Sequence, residues 1–277
     1  MVSKITSVHN ERVKHVRSLI RRRTRQRENR FVIEGTRLVD EALGAGLMPA
    51  LVFFSAAWAA TPDAKRLVPL LALAEEGTWL VSDSVLAACT DAKTPQGVIA
   101  VLPFVHPQPR PGLVLILDRL RNPGNLGTIL RSAEAAGVGQ VILTPGTVDL
   151  YNPKVVRGAM GAHFRLPVTS LDWPDIVKRV RGQTVWLADA HQSGRPPISK
   201  PTSAIAHENG TQLTYETVDW TVPSALIVGG EAAGASKVAT ELATGIVSIP
   251  MSEGTESLNA AMAATVILFE AARQRRA

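Results

Sequence analysis

Apolar positions change their period along the chain, and the changes mark out its elements. Val8, Val13, Val16, Leu19 and Ile20 recur at near-helical spacing, which predicts one helix from Ser7 to Arg30. Phe31–Glu34 reads as a strand closed by Gly35, and Thr36–Leu43 as an amphipathic helix ending at Gly44 and Gly46. Further strands are predicted at Leu51–Ser55, Trp79–Val81 and Gly97–Leu102, with helices at Asp63–Glu75 and Ser84–Cys89. This alternation predicts a small α/β/α domain over residues 1–102. Pro103, Pro107, Pro109 and Pro111 then fall within residues 103–112, a stiff segment without ladder donors that reads as a linker.

A second α/β domain is predicted over 113–277. It opens on Leu113–Leu117, a continuous apolar run of the kind buried on both faces of a parallel sheet. Helices are predicted at Leu126–Ala136, Lys154–Met160 and Asn259–Arg273, and strands at Val141–Leu143, Val185–Ala190, Ala225–Val228 and Gly245–Ile249. In such a sheet, ligands bind at the loops after the strand C-termini.

Charge sharpens this picture at one end. The 277 residues carry a formal net charge of +6, yet residues up to Arg30 hold ten Lys and Arg against Glu11 and Glu28, leaving the remainder slightly acidic. Arg21, Arg22, Arg23, Arg25 and Arg27 crowd together with no acid among them, and self-repulsion of that kind favours contact with the phosphates of a polyanion over an idle solvated face. The lone Cys89 excludes an internal disulfide framework and a multi-cysteine zinc site. The six histidines lack ligand spacing, so no metal is expected. No apolar run approaches the ~20 residues of a membrane span, and the start has no signal-peptide core, so a cytoplasmic location is expected.

Three loops concentrate candidate chemistry. Asp118–Gly127 leads into a helix carrying Arg131, but lacks the glycine spacing of a dinucleotide loop, which argues against a dehydrogenase. Asn125 there suits either a helix cap or a contact to an anion. The second loop, Val228–Ser236, holds Gly229, Gly230, Glu231 and Gly234 after an apolar strand; Glu231 alone also suits the first turn of a helix. The third, Ile249–Asn259, enters the last helix with Ser257 and Asn259 flanking Leu258, and either polar residue suits its N-cap.

Together these loops resemble the three signature motifs of the SPOUT superfamily of RNA methyltransferases, in its TrmH/SpoU branch. Asn122, Asn125, Gly127 and Arg131 match the first motif; Gly229, Glu231 and Gly234 match the second. Ile249, Pro250, Met251, Glu256, Ser257, Leu258 and Asn259 match the third, with its glycine one place late at Gly254. Gly230 stands where the family usually has Asn, and Ala232 where it usually has Gly. The first hundred residues more weakly resemble the substrate-binding domain that often precedes this one.

The resemblance implies a six-stranded parallel domain with a deep C-terminal trefoil knot, an obligate homodimer, and S-adenosyl-L-methionine as cofactor. It implies cofactor contacts from Gly229, Ile249 and Leu258, with Thr144, Gly230 and Met251 nearby. The implied reaction is methyl transfer to a ribose 2′-hydroxyl, with ribosomal RNA favoured over tRNA and a noncatalytic RNA-binding protein as the rival reading. Asn125, Arg131, Glu231, Ser257 and Asn259 are the implied catalytic set. Arginine's pKa sits awkwardly with a role as base, so binding the adjacent phosphate and stabilising the alkoxide is the preferred role for Arg131.

Overall fold

A computed structural model describes residues 4–189, 211–230, 234–252 and 257–276. The chain forms two units, Met1–Val105 with Asp149–Phe164, and His106–Val148 with Arg165–Ala277. The expected contiguous division, 1–102, 103–112 and 113–277, therefore differs from the observed one over Asp149–Phe164.

In the first unit, β1 (Lys4–Ile5), β2 (Arg30–Glu34), β3 (Leu51–Ser55), β4 (Thr78–Val81) and β5 (Val98–Pro103) form one sheet ordered β1-β4-β3-β5-β2. Strands β1, β4 and β3 are parallel, whereas β5 runs antiparallel to both β3 and β2. Alternation along β3 sends Leu51 and Phe53 to one face, with α1 (Glu11–Ser18) and α6 (Asp83–Ala88), and Val52 and Phe54 to the other. That second face packs against α3 (Thr36–Gly44) and α5 (Pro62–Leu71), with α4 (Ala56–Ala59) between β3 and α5. Tyr151, Val156 of α8 (Pro153–Ala159) and Phe164 complete this layer, which is why Asp149–Phe164 belongs here.

The predicted single helix over Ser7–Arg30 is instead α1 and α2 (Arg22–Glu28). The break has a visible cause. The Arg25 guanidinium donates to the carbonyls of Leu19 and Ile20, at 2.9 and 2.6 Å, and pairs with Asp149. Asn29, in the left-handed region at φ 51°, ends α2. The basic start is thus no free arm: Val13, Val16 and Leu19 are core residues.

The second unit holds β6 (Val114–Asp118), β7 (Gln140–Leu143), β8 (Val168–Ser170), β9 (Thr184–Ala188), β10 (Thr211–Thr214), β11 (Ser224–Gly229) and β12 (Gly245–Ser248). Its order is β10-β12-β9-β11-β6-β7-β8, and every pairing is parallel. Seven strands stand where the resemblance implied six; short β8 and β10 carry no apolar run to announce them. On one face, Ile116, Val185, Leu187 and Ile227 pack with α9 (Trp173–Arg179) and α10 (Lys237–Leu242). Helices α7 (Pro123–Ala135) and α11 (Ala260–Arg276) pack on each other, joined by a Ser132–Thr265 hydroxyl pair at 2.8 Å. The sheet's connections run outward from β6 through β7 to β8, while β11, β9 and β12 lie on its other side, so the C-terminal ends of β6 and β11 form a switch point.

Candidate active site

At those strand ends lies a cavity of about 610 Å³, within the ordinary size of a small-molecule site. Its apolar wall is Val228, Val247, Ile249, Met251, Leu258 and Ile267; its polar side is Asn122, Ser257 and Asn259. Gly229 and Gly230 offer backbone to the same space. Of the residues expected at a cofactor, Gly229, Gly230, Ile249, Met251 and Leu258 all line it. Thr144 does not.

Thr144 is buried beside the cavity floor, where its hydroxyl donates to Asp118 Oδ1 at 3.0 Å and accepts from Arg119 N at 3.0 Å. Its partner is a group that motif reading passed over. Asp118 is fully buried at the end of β6, and its Oδ2 accepts from Ser236 N at 2.6 Å. One carboxylate thereby ties β6, the residue after β7 and the far end of the glycine loop together. The next residue, Arg119, is in a left-handed conformation at φ 52°. The only sequence signal was an acid ending an apolar run at the switch point.

The glycine loop is tight for steric reasons. A Cβ on Gly229 would lie 2.8 Å from Ala235 N, and one on Gly230 would lie 2.8 Å from Arg119 O. Gly230, the departure from the family pattern, thus packs directly on the backbone that Asp118 and Thr144 fix. Glu231 and Ala232 lie outside the described residues, as do Gly254 and Glu256.

The asparagines divide their work. Asn122 caps α7, its side chain accepting from Gly124 N at 2.8 Å and Asn125 N at 3.3 Å, so Asn125 is not the cap. Asn259 caps α11 through Ala261 N at 2.9 Å and donates through Nδ2 to Asn125 Oδ1 at 3.2 Å. That leaves Asn125 Nδ2 buried without a hydrogen-bond partner, a donor that costs free energy until an acceptor arrives. Ser257 stands exposed at the cavity, while Arg131 is exposed on α7 and is not part of the lining. Asp189, which no motif flagged, lines the cavity from the end of β9.

Among the arginines expected to meet RNA, Arg21, Arg22, Arg23 and Arg27 are exposed in the first unit. Arg25 is not: at 2% exposure it is a structural clasp, a correction to its expected role.

Comparison with known proteins bears on both units. The SpoU rRNA Methylase family matches residues 112–269, and the MRM3-like substrate binding domain matches residues 10–100. The chain is 36% identical to the mitochondrial rRNA methyltransferase 3A of Danio rerio, covering 95% of this chain and 68% of that one. It is 31% identical to the 23S rRNA (guanosine(2553)-2′-O)-methyltransferase RlmP of Bacillus subtilis, covering 97% and 98%. A crystal structure of an AdoMet-bound rRNA methyltransferase from Sinorhizobium meliloti superposes with a TM-score of 0.79 at 29% identity, covering 98% of each chain.

Proposed function

Since the chain belongs to the SpoU/TrmH family of S-adenosylmethionine-dependent RNA ribose 2′-O-methyltransferases, we propose that its substrate is ribosomal RNA and that Asn125 and Asn259 hold the reacting ribose. The observation that carries this reading is the unpartnered, buried Nδ2 of Asn125, fixed by Asn259 beside the cavity. The cavity fits the cofactor by its chemistry: an apolar slot for adenine, glycine backbone for its polar edges, and polar side chains towards the reacting end. When bound, S-adenosylmethionine would supply a sulfonium methyl group; its transfer to the hydroxyl oxygen leaves the neutral thioether, and the hydroxyl proton passes to water.

The chain's own part is positioning and charge stabilisation. Asn125 Nδ2 donates to the ribose oxygen as negative charge develops there. Asn259 fixes the Asn125 amide and Ser257 adds to the polar side of the cavity, while a catalytic part for Glu231 is proposed on the resemblance alone. Tritium transfer to ribosomal RNA in single turnover tests this. Asn125→Ala should slow the step by about 10²–10³-fold while cofactor binding stays near wild type. A near-wild-type rate would remove Asn125 from the mechanism, and transfer to tRNA instead would replace the substrate.

Arg131 binds the adjacent phosphate and stabilises the alkoxide. Because α7 presents it to solvent rather than to the cavity, a second copy of the chain brings it to a site. Met262, Val266 and Phe269 support a homodimer, since they form an exposed apolar face on α11, Met262 at 62% exposure. Mixing slowed Arg131→Ala with slowed Asn125→Ala subunits should restore activity if the arginine acts across the dimer; no recovery on mixing would place both within one copy.

The trefoil knot is proposed on the strength of the resemblance and the shared fold. No helix among the described residues is long and apolar enough to cross a membrane. A cytoplasmic location is proposed on the lone, buried thiol of Cys89 and on the ribosomal substrate.

A further inference from the structure

Among the described residues that line the cavity, one side chain is ionisable: Asp189. No motif includes it, and the catalytic roles above leave it unused. Its backbone is fixed, with Asp189 N donating to Val247 O at 3.1 Å where β9 meets β12. The register shows where the residue stands. Ala188 is level with Val228 on β11, and Val247 on β12 pairs with the same residue. All three line the cavity, and Asp189 is the next residue outward.

Asp189 therefore rises between the two strands whose ends build the apolar wall. The asparagine cluster follows β6, which is separated from β9 by β11. Two strand spacings amount to about 10 Å. Asp189 thus belongs to the adenine end of the slot rather than to the reacting end. Next to an adenine, the polar part of this cofactor is the ribose with its vicinal hydroxyls. A carboxylate has two oxygens able to accept from that pair, and an acid near a strand end does this for the ribose of dinucleotides in other α/β sheets.

We propose that Asp189 reads the ribose of S-adenosylmethionine, accepting hydrogen bonds from its 2′- and 3′-hydroxyls. The rival role for this acid is electrostatic, balancing the cofactor's positive charge. The two roles separate with neutral ligands. 5′-Methylthioadenosine keeps the adenine and diol but has neither sulfonium nor ammonium, and 2′,3′-dideoxyadenosine lacks the diol.

The experiment is calorimetric binding of four ligands to the full chain, wild type and Asp189→Ala: S-adenosylmethionine, 5′-methylthioadenosine, adenosine and 2′,3′-dideoxyadenosine. Asp189→Ala should weaken the first three alike, by about ten- to a hundredfold, and leave the dideoxy compound unchanged. Asp189→Asn, with one acceptor left, should fall between. Loss confined to S-adenosylmethionine would overturn the proposal in favour of charge balance. Unchanged binding of all four, with or without loss of methyl transfer, would overturn it as well. Equal loss of all four, the dideoxy compound included, would mark a distorted pocket and also overturn it; ligand-free melting of the variant reports that distortion directly. The inference rests on the cavity being the cofactor site. Absence of S-adenosylmethionine binding to the wild type would defeat that reading, whereas wild-type binding with an indifferent Asp189→Ala would defeat this inference alone.

Discussion

His163 is buried beside Phe31 and Tyr151, donating through Nε2 to Leu150 O at 2.9 Å. Burial pushes its pKa down to about 4, the Leu150 contact and nearby Asp149 opposing only in part. The unfolded chain binds this proton near pH 6.5, the folded chain only near pH 4. Stability should therefore hold above pH 6.5 and fall as pH drops towards 4, by up to about 3 kcal/mol. Urea unfolding of His163→Gln should lack that slope. Gly230 is a residue whose departure from the family is explained by its neighbour. Restoring the usual residue with Gly230→Asn places a Cβ against Arg119 O and should lower both melting temperature and cofactor affinity. Unchanged calorimetric binding would show that the loop can shift instead.

Elements were legible in proportion to the length and regularity of their apolar pattern. The buried strands β3, β5, β6 and β11 sit within a residue or two of their expected places, as does α3, while α7 begins and α11 ends three residues beyond expectation. Those missed are short: β1 has two residues, β8 three, β10 and α4 four each, α10 six and α9 seven. Helices α1 and α2 merged into one because periodicity registers side chains and not the carbonyls that Arg25 captures. The arginines of α2 thus separate into two kinds that sequence could not distinguish. Replacing Arg22, Arg23 and Arg27 with Gln should weaken RNA binding and flatten its dependence on salt, with melting unaffected. Arg25→Ala should instead destabilise by about 3–5 kcal/mol, because it strips Asp149 of its partner and two carbonyls of their donor. Filter binding across a salt series, alongside thermal melts, checks both. Loss of RNA affinity from Arg25→Ala at temperatures where it is fully folded would return that residue to the binding surface.

At the scale of the whole molecule, the motifs located the cavity because they encode loops at strand ends, where chemistry constrains residue type. They missed Asp118 and Asp189, single acids whose meaning comes from strand order: one at the end of β6 and one at the end of β9, with β11 between them. Strand order is a long-range property, and no local spacing carries it. The same holds for the unequal charge along the chain. It pointed to a polyanion, and the match of residues 10–100 to a substrate binding domain agrees. It did not show that the charged stretch is built into a core, so that deleting it would remove Val13, Val16 and Leu19 along with the arginines.

The placement of Tyr151, Val156 and Phe164 in the core of the first unit bears on when that unit can finish folding as the chain is made. A ribosome delivers residues from the N-terminus, and domains commonly fold as they emerge. Here the N-terminal sheet cannot close its second face until residue 164 has emerged, by which time β6, α7 and β7 of the other unit have already been made. The aromatic face of Phe31 and Phe104 awaits Tyr151 throughout that interval. Nascent chains are thus exposed for longer than in a protein whose domains follow one another, and the two units mature together rather than in turn.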